Sequence, residues 1–277
     1  MNENLAFDIT AGLRAEISSA ANAVRHFVEA SQSPSLRPNG ASALPAFEVK
    51  FLLTDSRALE LERQLSEQLT LDPHADPALD NSYRIATVYA DTPRFDVYHR
   101  SGSHKYRKFR LRRYGNELLT YLERKTKRGQ RVRKRRTTME PNSVLRIDEA
   151  NPTIASATDW YRRSWSRHAL RPVCRVSYTR RAYFGACDEG PLRMTFDREL
   201  RAAPTDQLAF DADAQETPIG DGRVICEFKF RGHLPAIFKI AMETFQIVPG
   251  GFSKYRNAVR ALGLVPANTD AKGASDA

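Results

Sequence analysis

Residues 105–136 read KYRKFRLRRYGNELLTYLERKTKRGQRVRKRR, with Lys or Arg at nearly half the positions and only Glu117 and Glu123 against them. A run of this kind is usually a solvated face or a nucleic-acid tail. Its spacing is more particular. From Tyr106 to Tyr114, Lys108, Arg110 and Arg112 share one parity, and Phe109 and Leu111 fall on the other. Period two belongs to a strand, whose alternate side chains point to opposite faces, so one face is cationic and the other apolar.

The same division recurs downstream. In 118–128, Glu123, Lys125 and Lys127 oppose Leu118 and Leu122. In 192–200, Arg193, Thr195, Asp197 and Glu199 oppose Leu192, Met194, Phe196 and Leu200, and in 224–231, Glu227, Lys229 and Arg231 oppose Val224, Cys226, Phe228 and Phe230. One such strand is ordinary, with its polar side in water. Several together predict an α+β fold: an antiparallel β-barrel tunnel of about eight strands, closed on a charged lumen, its apolar exterior covered by flanking helices. Such a lumen suits a polyanion and its metal ion.

By its length the chain allows one large β domain or two small ones. Its 277 residues are 41% apolar, its net charge of +10 calls for an anionic partner, and its pI is near 9.7. Cys174, Cys187 and Cys226 show no metal-type spacing and read as reduced thiols of a cytosolic protein. No apolar run approaches the roughly 20 residues of a membrane span, and the N-terminus lacks a signal peptide's basic start and apolar run, so a cytoplasmic location is expected.

Residues 1–30 carry Leu13, Ile17, Ala20, Val24, Phe27 and Val28 at helical spacing, and 31–45 form a Ser/Pro/Gly linker. The tunnel domain is expected over 46–265, ahead of a disordered tail at 266–277. Strands are predicted at 47–53, 83–91, 106–114, 118–127, 131–139, 172–184, 192–202 and 223–231, with Gly115-Asn116 turning the first basic hairpin. Helices are predicted from Thr54 or Asp55 to about Leu69, and at 94–100, 140–149, 157–168, 236–245 and 253–262, with a polar loop at 203–222.

Gripping a triphosphate takes several cations, Arg as a fork and Lys as a point charge. The inward-parity candidates are Lys50, Arg110, Arg112, Lys125, Lys134, Arg180 and Arg193. Glu227, in CEFKF, projects inward as either a ligand for Mg²⁺ or Mn²⁺ or an ion-pair partner of Lys229, and Glu48 and Glu123 share that ambiguity. No phosphate-binding G-x-x-x-x-G-K-[ST] loop and no metal-type His pair is present. Alternating charge favours an enclosed site over an open nucleic-acid surface, so nucleic acid is not the expected partner.

FEVKF, TVYADT, KFRLRRYG, LERKTK, YTRRAYF with LRMTFD, CEFKF and FSKYRNAV occur in an order that resembles the VTC domain. This is the polyphosphate polymerase domain of the vacuolar transporter chaperone family, within the triphosphate tunnel metalloenzyme (CYTH-like) superfamily. The resemblance spans about 45–265. It implies a β-barrel tunnel that transfers the γ-phosphate of ATP onto inorganic polyphosphate with Mn²⁺ or Mg²⁺. Carried over by motif, Lys50, Arg110, Arg112, Lys125 and Lys134 become tunnel cations, with Arg133, Arg135 and Arg136 competing for the Lys134 register. Tyr178, Arg180 and Arg193 follow, Ser253 and Lys254 come from the helix closing the tunnel end, and Glu227 becomes the metal ligand. The hydrolytic branch opens with E-x-E-x-K, whereas here Ala46 precedes Glu48 and Lys50, which weighs against a simple triphosphatase. Triphosphate hydrolysis and non-catalytic binding of polyphosphate or RNA are the alternatives. The phosphate-sensing helical domain and membrane spans of the eukaryotic proteins are not seen, so a freestanding catalytic domain is expected.

Overall fold

The computed structural model describes residues 46–265 except 116, 118, 129–130, 141–156, 189 and 211–214. The helix and linker expected at 1–45, nearly all of the helix at 140–149 and the tail lie outside the described residues.

Period-two stretches become strands at nearly the expected bounds. In chain order the strands are β1 (Ala46–Leu53), β2 (Thr70–Leu71), β3 (Tyr83–Asp91), β4 (Arg107–Tyr114), β5 (Thr120–Arg128), β6 (Arg131–Met139), β7 (Arg171–Cys187), β8 (Gly190–Pro204), β9 (Thr217–Pro218) and β10 (Val224–Arg231). The helices are α1 (Asp55–Ser66), α2 (Asp96–His99), α3 (Asp159–Arg167), α4 (Ala236–Thr244) and α5 (Lys254–Ala261). Helix α1 begins at a Thr54 side chain that accepts from the Arg57 amide, and α5 begins at Ser253 in the same way, through Arg256. Gly115 turns the β4–β5 hairpin at a φ of +46°, where a side chain would be strained.

The eight long strands form one antiparallel sheet in the order β1-β10-β8-β7-β3-β4-β5-β6, with β2 on β7 and β9 on β8. The sheet curls until its edges, β1 and β6, come side by side. Among the described residues no ladder joins them, so this is a curled half-barrel and not the fully closed cylinder expected from the sequence. Side chains bridge the seam instead: Lys125 of β5 reaches across to Glu48 of β1 at 2.8 Å.

Two apolar bodies hold the curl. Outside β1, β10 and β8, Phe51, Phe196 and Phe228 pack with Leu61 and Leu65 of α1 and Phe238 of α4. Phe228 and Phe238 stack with ring centres 4.1 Å apart. The second body joins Trp160, Tyr161 and Trp165 of α3 to Phe109, Leu111 and Leu122, and joins Tyr255 and Val259 of α5 to Tyr89 and Val176. The Tyr255 hydroxyl donates to the buried Asp91 at 2.5 Å, pinning α5 across one end of the channel.

Three expectations are corrected. The alternation in β8 does not run through to Leu200. A bulge shifts the β7–β8 register between Ser177 and Thr179, and Glu199 there takes a φ of +53°. The extra residue flips parity, so Leu200 joins the Val176 body while Met194 and Phe196 pack with the other. Helix α1 stops at Ser66, and Thr70–Leu71 pair with β7. The polar loop at 203–222 contains β9, tied to β8, with Glu216 paired to Arg175. No described helix is long and apolar enough to cross a membrane.

Candidate active site

The inward parity of β1, β3–β8 and β10 converges on one cavity of about 1640 Å³, lined by eighteen Lys and Arg against five Asp and Glu. That excess makes the space suited to a polyanion. Lys50, Arg110, Arg112, Lys125, Lys134, Tyr178, Arg180, Arg193, Glu227, Ser253 and Lys254, the eleven residues singled out from sequence, all line it.

Carboxylates hold these cations in place. On β5, the fully buried Glu123 accepts from Arg110 Nε at 2.6 Å and Arg136 Nε at 2.7 Å, and meets Lys134 Nζ at 2.6 Å. On β8, the fully buried Asp197 takes a two-pronged Arg180, at 2.5 and 2.7 Å, and Lys254 Nζ at 2.5 Å. Lys254 also lies 4.5 Å from the centre of the Tyr178 ring. Arg193 donates to Asp72 at 2.9 Å and to the Tyr83 hydroxyl at 2.8 Å. Arg112 donates to Thr87 at 3.2 Å. Near the seam, Lys50 bridges Glu48, at 2.8 Å, and Glu227, and Lys229 reaches Glu227 at 2.6 Å.

Burial alone would push these carboxyls up, but their cationic neighbours win. Lys229 and Lys50 hold Glu227 well below the usual carboxylate range. Arg110 and Lys134 do the same for Glu123, and Arg180 and Lys254 for Asp197. Two partly buried lysines move the other way. Lys108, bonded only to the Ser253 hydroxyl at 2.9 Å, is brought down to about 7 by burial and by Lys125 and Lys50. Burial takes Lys229 to about 8 even with Glu227 raising it. Burial opposes ionisation of Tyr114, yet Arg112 and Arg136 bring its phenol down to about 7.

An anion entering the cavity favours charged lysines and a neutral phenol, so all three groups take up protons on binding. Above pH 7, triphosphate affinity is therefore expected to fall as pH rises. Calorimetry at pH 8 in two buffers of different ionisation heat should record uptake of about one proton or more. No uptake would mean the three groups are already protonated before binding.

The sequence reading does not select Lys108, Lys229, Tyr114 or Asp197 as site residues, although each shares parity with a neighbour that it does select. It left open which of residues 133–136 faces inward. Lys134 and Arg136 do, while Arg135 turns out to the Trp160 ring at 4.6 Å.

Among the described residues no three His, Cys, Asp or Glu cluster as a ready metal site. The donors around Lys50 nevertheless fit a hard divalent ion. Glu48 and Glu227 present carboxylate oxygens to one shared cation, the Lys50 ammonium. Mg²⁺ and Mn²⁺ take such oxygens together with substrate phosphates.

A curled antiparallel sheet thus encloses a cationic channel whose charged walls are held by buried carboxylates. The chain belongs to the VTC domain family, whose profile matches residues 46–263. The chain also has partial structural similarity to solved proteins, among them these three. A candidate adenylate cyclase from Bacillus halodurans is 15% identical, with 78% of this chain and 96% of that one covered and a TM-score of 0.47. A candidate adenylyl cyclase from Hippeastrum, described as having a dominant triphosphatase activity, is 13% identical, with 80% and 98% covered and a TM-score of 0.48. A candidate adenylate cyclase from Vibrio parahaemolyticus is 12% identical, with 79% and 100% covered and a TM-score of 0.43. Comparison with curated proteins finds no match.

Proposed function

We propose that this protein is a metal-dependent polyphosphate polymerase that moves the γ-phosphoryl group of ATP onto a growing inorganic polyphosphate chain. Arg110, Arg112, Arg180, Arg193 and Lys254 grip the transferring group, and Lys50, Lys125, Lys134, Tyr178 and Ser253 hold the flanking phosphates. A terminal oxygen of the chain attacks the γ-phosphorus in line. The bond to the β–γ bridging oxygen breaks, and ADP leaves with that oxygen. Glu227, with Glu48 beside it, would hold Mn²⁺ or Mg²⁺, which neutralises phosphate charge when bound.

One observation carries the choice of acceptor. Glu48, Glu123, Asp197 and Glu227 are each spent on at least two cations and are held well below the range in which a carboxylate takes a proton. Water needs a base, and these make poor ones. A phosphate oxygen is already ionised and needs none.

The test is incubation of the purified protein with ATP and Mn²⁺, followed by gel analysis for chains and assays for ADP and free phosphate. Long chains with matching ADP are the expected result. Phosphate release without chain growth would replace this reading with a triphosphatase. No turnover with either metal would leave a module that only binds polyphosphate or RNA.

A further inference from the structure

Around the transfer centre, Arg110, Arg180, Arg193 and Lys254 each meet a carboxylate. At the α5 end of the same cavity three arginines meet none among the described residues. Arg256 and Arg260 sit four residues apart on α5, on one helical face, and Arg100 follows α2; all three line the cavity. Arg100 and Arg260 act against the charge on Arg256 and the Tyr98 phenol favours it, with no carboxylate acting on it among the described residues. Its guanidinium lies over the Tyr98 ring at 5.6 Å, and its Nε is buried without a hydrogen-bond partner. Burial, and then the two neighbouring arginines, hold Arg256 below its ordinary range.

Arg100 adds an independent observation. Its φ is +59°, in the left-handed region where glycine is favoured and a long side chain is strained. Three like charges gathered with no counter-ion among the described residues, Arg100 and Arg260 exposed at the cavity mouth and Arg256 with a buried donor left over, make an arrangement that an anion completes.

We propose that Arg100, Arg256 and Arg260 form a separate holding site for the polyphosphate chain at the α5 end of the channel, beyond the transfer centre. The site rests on the polymerase reading and extends it. Arg260 lies about 9 Å along the helix from Lys254, and Lys254, Arg256 and Arg260 all line the one cavity, so a chain that fills the cavity from Lys254 outward reaches both arginines. Each arginine offers a planar fork to successive phosphates. Their role is to retain the chain between transfers. A mononucleotide bound at the transfer centre does not need them.

The full chain, without nucleotide, is titrated with long-chain polyphosphate and with tripolyphosphate at several salt concentrations. In R256Q/R260Q the ratio of long-chain to tripolyphosphate affinity is expected to fall by roughly tenfold per arginine lost. The salt dependence of chain binding should become shallower by about 0.7 per lost contact, as for single-stranded polyanions. Arg100→Gly is the second variant. It relieves the strained backbone, so the melting temperature should not drop, yet chain affinity should fall about tenfold. A purely structural arginine would not give that combination. An unchanged affinity ratio in both variants overturns the site. So does a wild-type protein that holds long chains no better than tripolyphosphate, although the proposed function then stands. Failure of the wild type to bind either ligand removes the function and the site together. In a parallel titration with single-stranded RNA, loss of RNA binding in the variants with polyphosphate unaffected would overturn the site and reassign the arginines to a nucleic-acid surface.

Discussion

Glu227→Ala is expected to reduce turnover of ATP at least a thousandfold while polyphosphate still binds. A bound divalent ion supplies several kcal/mol of charge stabilisation in phosphoryl transfer, and each 1.36 kcal/mol is a factor of ten, so losing it costs about 10³ in rate. Binding should survive because the substitution removes a negative charge from a channel that binds an anion. The fold should survive as well. Lys50 keeps Glu48 at 2.8 Å. Lys229 loses its carboxylate, but burial already brings it down to about 8 and it can shed its proton. ADP release, chain gels, calorimetry with tripolyphosphate and a thermal melt separate these effects. A rate loss below tenfold with an intact melt would show that Glu227 is only the ion-pair partner of Lys50 and Lys229. Glu227→Gln, which keeps the shape, should be nearly as inactive as the alanine variant, because an amide is a far weaker ligand for a hard divalent ion.

Much of this site was legible because period two survives folding. A strand residue that faces inward in the sequence pattern faces inward in the sheet unless a bulge intervenes. Arg110 and Arg112 accordingly line the cavity, whereas Leu200, beyond the Glu199 bulge, does not keep the face its spacing predicts. Parity gives a face and not a partner. It put Glu123 and Asp197 inside, but the cations each one neutralises come from strands paired by tertiary register: Arg136 across the β5–β6 ladder, Arg180 across β7–β8, and Lys254 from α5. The unclosed seam was not legible either. Whether edge strands bond depends on how far the sheet curls, and no local pattern in β1 or β6 records that. The Arg100–Arg256–Arg260 group joins residues more than 150 positions apart, which is outside the reach of any spacing rule.

Glu123→Ala is expected to cost about 3–5 kcal/mol of stability, the usual penalty for removing one side of a buried ion pair. At roughly 2–4 °C per kcal/mol for a chain of this size, the melting temperature should fall by about 10 °C. The substitution leaves Arg110, Arg136 and Lys134 facing one another across the vacated space. Lys134 is about a third exposed, at 35%, and can lose its proton. The two guanidiniums cannot, so raising the pH should not rescue the fold. Lowering the pH should mimic the mutation in the wild type. Carboxyls held below their ordinary range stabilise the fold above that range, and the contribution is lost as pH falls through it. Tripolyphosphate supplies the missing oxygens, so it should raise the melting temperature of the variant more than that of the wild type. Arg136 retains one acceptor in any case, the Tyr114 hydroxyl at 2.6 Å. A drop under about 3 °C, with no larger ligand effect in the variant, would mean that Tyr114 and solvent already satisfy the arginines and that Glu123 does not set their position. The expected pattern, a large loss recovered by ligand, would identify Glu123 as a positioning residue. In that role it stands in for substrate phosphate while the channel is empty and keeps Arg110 aimed at the transfer centre when the channel is full.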